Sequence, residues 1–403
     1  MQSAKYQAMA LGMFLMVGAF TGCLGDDDDD TGGDTTVTKT TVRIGFLNPL
    51  TGPLEPDAPG FSWAASEAIK DLNAASSTHT FELVEVDSGC DGAVSGPGAT
   101  TLVDSGVVAV AGAACSGASM GANAVLSAAG IPMISYASTN PGLSDASAYP
   151  MFFRNVPSDA LQGPAGAAMI ANAGIGNESL AILHMTNDYG SGLADSVKAA
   201  WEANGALCAS GMQGYEETAT DFSALADGIA GNADCTAVYL SSYITDAALI
   251  LEALADAGYE GAVFGGDGPA GIGLYEKLTN NATATNVTVS APRAGPNTGA
   301  GAAFEAKYDA NAADIGSIKT YVLTTYDAVM IIGTAATMDG AINDNIKSTG
   351  TNYAGASGTF TFLANGDING AGYDICTYDG GADTGGYTCG KYWTADEGVQ
   401  SAS

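Results

Sequence analysis

The chain has 403 residues, with 12 Lys and Arg against 44 Asp and Glu, a formal net charge of −32. That length accommodates two domains with sizeable cores. The charge excludes a partner held through a phosphate backbone and argues against docking on an anionic lipid surface; it describes a solvated, salt-tolerant surface rather than a chemistry.

The chain opens with a targeting segment. Lys5 is the sole early cation, and Ala8 to Phe20 is an apolar run too short to span a bilayer. It ends in Phe20-Thr21-Gly22-Cys23, which resembles a lipoprotein box cut before Cys23. Residues 1–22 therefore read as a signal peptide and Cys23 as a lipid-modified first residue; the alternative is a plain secretory peptide with an incidental cysteine. Leu24-Gly25, the aspartates Asp26 to Asp30 and a Gly/Thr/Asp stretch follow. Such a composition cannot collapse, so 23–40 reads as a hydrated tether. No later stretch is long and apolar enough for a transmembrane helix.

Val42 to Asn48 reads as a strand, and Ala65, Ala68, Ile69 and Leu72 mark one face of a helix. Phe81 to Val86 is the second strand, and Ala99 to Asp104 a short helix. Val107 to Ala113 is a continuous run of β-branched and small apolar residues, as in a strand covered on both faces. Cys115-Ser116-Gly117 closes it, Met120 to Ala129 gives a small-residue helix ended by Gly130, and Pro132 starts the next strand. In a parallel crossover unit Ser116 then lies at a helix N-terminus, and Ala137-Ser138-Thr139 at the carboxyl end of the following strand. Hydroxyls, N–H groups and a helix dipole converge on the sheet edge where open α/β sheets bind ligands, a place suited to a carboxylate.

Met151 to Val156 is a further strand, with Pro157-Ser158-Asp159 as a crossing point and helix cap. A second series starts at Ser179: strand Leu180 to His184, a helix with Leu193, Val197 and Trp201 on one face, strand Leu207 to Gly211, a helix capped by Asp221, strand Ala237 to Leu240, a helix capped by Thr245, and strand Ala262 to Gly266 ending in Asp267. Val287 to Ala291 is expected to return to the first domain, before helices at 301–310 and 317–338 and a hairpin region at 358–379. Two alternating series imply two doubly wound parallel sheets. Of seven cysteines, six remain after Cys23, an even set suited to three disulfides in an oxidising compartment. Two histidines and no CxxC spacing argue against zinc.

From about Thr41 to Trp393 the chain resembles type I periplasmic binding proteins, in particular the leucine/isoleucine/valine-binding branch of ABC transporter substrate-binding proteins. The stretches that carry the resemblance are IGFLNPLTGPL, VDSGCDG, AGAACSGAS, IPMISYAST, FFRNVPSDALQG, LHMTNDYGSGLA, DFSALADGI and TTYDAV, agreeing in order and spacing. The resemblance implies an α/β fold of two Rossmann-like lobes joined by a three-crossing hinge, with lobe 1 at 41–156 and 291–350, lobe 2 at 157–290 and 351–393, and a tail at 394–403. It implies that Ser116, Ala137, Ser138 and Thr139 meet a ligand's carboxylate and ammonium, that Asp267 pairs with the ammonium, and that Tyr189, Tyr243 and Tyr326 are aromatic cleft residues. Cys90 and Cys115 match the family's first-lobe disulfide. Cys376 and Cys389 flank a hairpin and are expected to pair, which leaves Cys208 with Cys235. Asp57 departs from the pattern: it stands where an aromatic or other cleft-wall residue is common.

Other motifs have weaker claims. Gly117 to Gly121 fits G-x-S-x-G, but Ser119 falls inside a helix start and no histidine follows His184. Gly266 to Gly271 fits G-x-G-x-x-G, without an acid ending a strand about twenty residues on. Asn365, Asp367, Asn369 and Gly370 begin like a calcium loop, but the closing position is Cys376 rather than Glu. Asn177, Asn281 and Asn286 form N-x-S/T sequons. The expectation is a lipid-anchored, exported solute-binding protein of an ABC importer, a monomer that closes two lobes on a branched-chain or related amino acid. It has no catalytic residues, no metal, no cofactor and no nucleic-acid partner; its partners are the ligand and a permease, and it meets the membrane only through Cys23. The alternatives are a sensor of the same fold, or binding of amides, urea or short peptides.

Overall fold

The computed structural model describes residues 38–279, 287–295, 299–315, 318–378 and 387–402; Cys23, the segment before it, the aspartate run, Asn281 and Asn286 lie outside them. In chain order come β1 (Thr40–Asn48), α1 (Ala58–Ala75), β2 (His79–Asp87), α2 (Gly92–Asp104), β3 (Ala109–Ala111), α3 (Ser116–Ala128), β4 (Met133–Ser135) and β5 (Phe152–Arg154). They build a five-stranded, wholly parallel sheet in the order β2-β1-β3-β4-β5. Its central strands are buried on both faces, as crossover helices on each side require.

Next come α4 (Asp159–Asn172), β6 (Leu180–Met185), α5 (Asp188–Glu202), β7 (Leu207–Tyr215), α6 (Ser223–Ala230), β8 (Ala237–Ser241), α7 (Ile244–Asp256), β9 (Ala262–Gly265), α8 (Ile272–Lys277) and β10 (Val287–Pro292). After α9 (Ala300–Ile315), α10 (Lys319–Ala335) and α11 (Ile342–Thr349) the chain forms β11 (Tyr353–Gly355), β12 (Gly358–Phe360), β13 (Tyr373–Tyr378), β14 (Tyr387–Thr394) and β15 (Gly398–Ser401). The second sheet runs β15-β14-β13-β10-β9-β8-β6-β7: β7, β6, β8, β9 and β10 are parallel, and β13 to β15 extend it antiparallel.

Each sheet has its own hydrophobic core. The chain passes from the first core to the second between β5 and α4, returns after β10, and crosses again before β13. These are the doubly wound lobes and three crossings anticipated from the sequence.

Several details differ. The 287–291 strand stays in the second sheet, because β10 is an interior strand paired with β9 on one side and β13 on the other. Ala356, Phe362 and Ile368 pack in the first core rather than with the second lobe, Phe362 lying 5.1 Å from Phe153. The expected tail contains β15, which pairs with β14. Helix α2 starts at Gly92, where the Asp91 carboxylate accepts from the Ala93 N–H; the internal Pro97 hides this start in the sequence. Helix α7 is preceded by Tyr243 in the cap position rather than Thr245.

Disulfides join Cys90 to Cys115, Cys208 to Cys235 and Cys376 to Cys389. The first closes a separation of 25 residues and ties the loop after β2 to the residue before α3. A crosslink of that span contributes about 3 kcal/mol through the unfolded chain.

Candidate functional site

A cavity lies between the carboxyl edges of the two sheets. Ala114, Ser116 and Ala137 face it from the first sheet, and Tyr189, Tyr243, Asp267 and Gly268 from the second. Leu54, Asp57 and Phe61 close it around the start of α1, and Ile318 and Tyr321 around the start of α10.

On the first-sheet side the helix start supplies the polar groups. Cys115 has an extended backbone and holds the cap position, so the chain turns into α3 at Ser116. The first-turn N–H groups of a helix have no partner within it, and they point toward the cavity end with the positive end of the dipole. The Ser116 hydroxyl accepts from the Asn140 N–H at 3.2 Å, which leaves its own hydrogen to give. Ser138 is spent differently: its hydroxyl lies 2.8 Å from that of Ser119 and donates toward the carbonyls of Ala113 and Ala114. Thr139 is wholly buried; its carbonyl accepts from the Asp159 N–H and its hydroxyl faces the Asp159 carboxyl. Ser138 and Thr139 thus brace the loop after β4 rather than line the cavity.

Arg154 holds that loop from behind. It is fully buried, its Nε donates to Asp367 at 2.6 Å, and its guanidinium reaches the Ser138 and Asn140 carbonyls and the Ser144 hydroxyl. The planar fork suits such a multi-point grip. Asp367, which begins to resemble a calcium ligand in the sequence, is an ion-pair partner instead.

On the second-sheet side Tyr189 and Tyr243 stack at 5.1 Å between centroids, nearly parallel. The Tyr189 hydroxyl donates to Asp267 at 2.9 Å and accepts from the Gly268 N–H at 3.0 Å. The Tyr321 phenol also donates to Asp267. Burial raises the Asp267 carboxyl above its ordinary value, while these two phenols favour its ionised form. Burial pushes the phenols of Tyr189, Tyr243 and Tyr321 well up, helped by the Asp267 charge at Tyr189 and Tyr321 and by the Glu217 and Asp267 charges at Tyr243, so they remain donors. Asp159, deeper and outside the cavity lining, is raised well above the carboxylate range by burial and by the Asp267 charge. Burial pushes Asp57 up to about 6, opposed by a hydrogen bond with the Ile318 backbone.

Of the residues expected from the sequence, the structure brings Ser116, Ala137, Tyr189, Tyr243 and Asp267 to one cavity. Tyr326 is elsewhere: it stacks on Phe304 at 3.8 Å and donates to Asp71 at 2.8 Å. Its cleft position belongs to Tyr321. Five residues along a helix turn the side chain by about 140°, and the run TYVLTTYDAV does not say which face meets the cavity. Tyr321, Phe61, Leu54, Ile318 and Arg154 carry no sequence signal beyond proximity to crossings and strand ends, and Asp159 reads in the sequence only as part of a crossing point and helix cap.

Ser119 has no base beside it. Its hydroxyl accepts from the Ala113 N–H, and the His184 ring bonds the Met185 carbonyl. The glycines around Asp267 shape the cavity wall. The arrangement can hold a small zwitterion: hydroxyl and N–H groups face a carboxylate, and an acid framed by aromatic rings faces an ammonium.

Residues 62–381 match the family model described as the receptor family ligand binding region. A leucine-, isoleucine-, valine-, threonine- and alanine-binding protein of Pseudomonas aeruginosa is 28% identical over 72% of this chain and 77% of its own length. A Leu/Ile/Val-binding protein homolog of Brucella melitensis is 26% identical over 84% and 92%. Among solved structures, a branched-chain amino acid transporter substrate-binding protein from Streptococcus pneumoniae, in complex with isoleucine, superposes with a TM-score of 0.74 at 24% identity, over 90% of this chain and 99% of that one. A solute-binding protein from R. palustris in complex with benzoate reaches a TM-score of 0.75 at 14% identity, over 90% and 98%. The fold is therefore shared by proteins with different ligands, and the side chains at the cavity must select among them.

Proposed function

The chain belongs to the receptor family ligand binding region family, and from that premise we propose that it captures a free α-amino acid outside the cytoplasm and presents it for uptake. The observation that carries this reading is the single cavity in which Ser116 and the α3 N-terminus face Asp267 and Tyr189 from opposite sheets. The carboxylate sits against the Ser116 hydroxyl and the first-turn N–H groups. The ammonium sits against Asp267, displacing or joining its phenol donors. Each charge then meets a desolvated, charge-assisted partner. The relatives named for leucine, isoleucine, valine, threonine and alanine support this ligand class.

Capture works by lobe closure about the three crossings. The ligand touches both lobes only when they are shut, so binding shifts the population toward the closed form. The closed form is the signal to a membrane permease of the ABC type. Cys23 is the lipid-modified first residue of the mature protein, and the acidic segment after it is the tether. Cys23→Ser should release the protein into the medium; retention on the membrane to the same extent would refute the anchor.

The binding reading is tested by calorimetry against the common amino acids, with the matching amino alcohols and hydroxy acids as controls. Binding of an amino acid that is lost when either its carboxylate or its amine is removed supports the reading. Equal binding of the hydroxy acid would place Asp267 away from the ligand.

A further inference from the structure

Tyr321 reaches from one lobe to the other. It lies near the start of α10, and its ring is buried with the first core. Its N–H bonds the Ile318 carbonyl at 3.0 Å, and the Asp57 carboxyl is hydrogen-bonded with the Ile318 backbone. The start of α10 is thereby fixed to the start of α1, within the first lobe. The Tyr321 carbonyl accepts from the Thr325 hydroxyl at 2.6 Å. Its phenol nevertheless donates to Asp267, just beyond β9 in the second lobe.

Asp267 is fixed on its own side. Its carbonyl accepts from the Ala270 N–H at 3.0 Å, and its Oδ1 accepts from the Tyr189 phenol at 2.9 Å. Tyr321 takes the other oxygen, Oδ2. Two phenols therefore serve one carboxylate but join different things. Tyr189 stands on α5, so its bond lies within the second lobe; the Tyr321 bond spans the cavity between the lobes.

Opening the lobes returns the Tyr321 phenol and the Asp267 carboxylate to water. Closing them restores the bond in a site shielded from water, where it counts for more. A carboxylate offers about four lone-pair sites, so two phenols leave room for an ammonium at the same group. On the amino-acid reading of the site, we infer that Tyr321 is the positioning residue that shuts the lobes: its phenol ties the first lobe to Asp267, and the ligand ammonium joins that bond rather than replacing it. Closure is thus favoured in part by the protein's own contact, and the ligand adds to a form the chain already reaches.

Tyr321→Phe and Tyr189→Phe test this as a pair, because each keeps its ring and removes one phenol from Asp267. Both should weaken binding. Only Tyr321→Phe should change closure: small-angle scattering of the full chain without ligand should show it more extended than the parent, with Tyr189→Phe matching the parent. With L-leucine as the probe, stopped-flow fluorescence should show Tyr321→Phe releasing it about tenfold faster than the parent, with association no slower. Each lobe should melt as in the parent. Identical scattering from all three proteins overturns the inference, as does a Tyr189→Phe molecule as extended as Tyr321→Phe. Leucine release unchanged in Tyr321→Phe overturns it too, and leaves the amino-acid reading standing. If no common amino acid binds the parent while Tyr321→Phe alone is extended, the amino-acid reading fails and the cross-lobe bond stands as the closing contact.

Discussion

Asp159 and Asp267 belong to one buried cluster, and burial, reinforced by the charge on Asp267, raises the Asp159 carboxyl well above its ordinary value. Asp159 starts α4 just after the first crossing, and Asp267 lies just beyond β9, the strand that follows α7. Phenols of Tyr189 and Tyr321 hold Asp267 toward its ionised form. Burial raises both carboxyls; Asp267 faces the cavity and takes the phenol donors, while Asp159 supports the wall behind it.

That division predicts opposite outcomes for the same chemical change. Asp159→Asn changes a group outside the cavity lining, in the direction burial already favours, and should leave amino-acid affinity at pH 7 within a few-fold. Asp267→Asn or Asp267→Ala removes the partner of a buried ammonium. The cost should be about 2–5 kcal/mol, or about thirtyfold to several-thousandfold in affinity. Calorimetry on the two variants at one pH reads the contrast, and equal losses in both would contradict it.

Closure has its own test at Gly117. A Cβ built there would stand 2.7 Å from Asp188 Oδ2 on α5, the helix that faces α3 across the two lobes. The side-chain amide of Asn140 donates to the Asp188 carbonyl at the same contact. Gly117→Val should wedge this contact and favour the open form. A shift of 1.4 kcal/mol would weaken binding about tenfold. The melting temperature without ligand should hold, and small-angle scattering should show a more extended molecule. Unchanged affinity with unchanged scattering would mean the lobes do not meet here.

Arg154 should be costly to remove. Taking one partner from a buried ion pair destabilises by about 3–5 kcal/mol, so Arg154→Met should lower the melting temperature sharply and loosen the loop that carries Ala137. Arg154→Lys should not restore it, because an ammonium cannot reach the Asp367 carboxylate, two carbonyls and the Ser144 hydroxyl together. Thermal unfolding of both variants decides it; full stability in the lysine variant would refute the multi-point grip.

A pH prediction follows from Asp246, which burial pushes up to about 6 while the Tyr215 phenol, which donates to it, opposes the rise. Its ordinary value is 3.8, so between about pH 4 and 6 the folded chain holds this proton more tightly than the unfolded one. The group's contribution to stability is present at low pH and is lost as pH rises through 6. Two pH units correspond to about 3 kcal/mol as an upper figure. Asp246→Asn should therefore gain stability relative to the parent as pH goes from 4 to 7, measured by denaturant unfolding. A parent-to-variant difference that is flat with pH would show that the carboxyl is ionised throughout.

Much of this was legible in the chain itself, for local reasons. Continuous apolar runs such as Val107 to Ala113 can be satisfied only by strands covered on both faces, and small-residue helices between them force a parallel sheet with its binding edge at the strand ends. That pattern alone places Ser116, Ala137 and Asp267 at strand ends on the sheet edges. Tertiary structure decided what local pattern cannot carry. Strand neighbours are set by long-range pairing, which is why β10 stayed in the second sheet and β15 joined it. The face of a helix is set by what packs against it, which gave the cleft to Tyr321 and the outer wall to Tyr326. The environment of an acid is set by burial and by groups distant in sequence, so Asp57, Asp159 and Asp267, alike as letters, differ only once the two lobes enclose them: Asp57 and Asp267 line the cavity and Asp159 lies behind its wall.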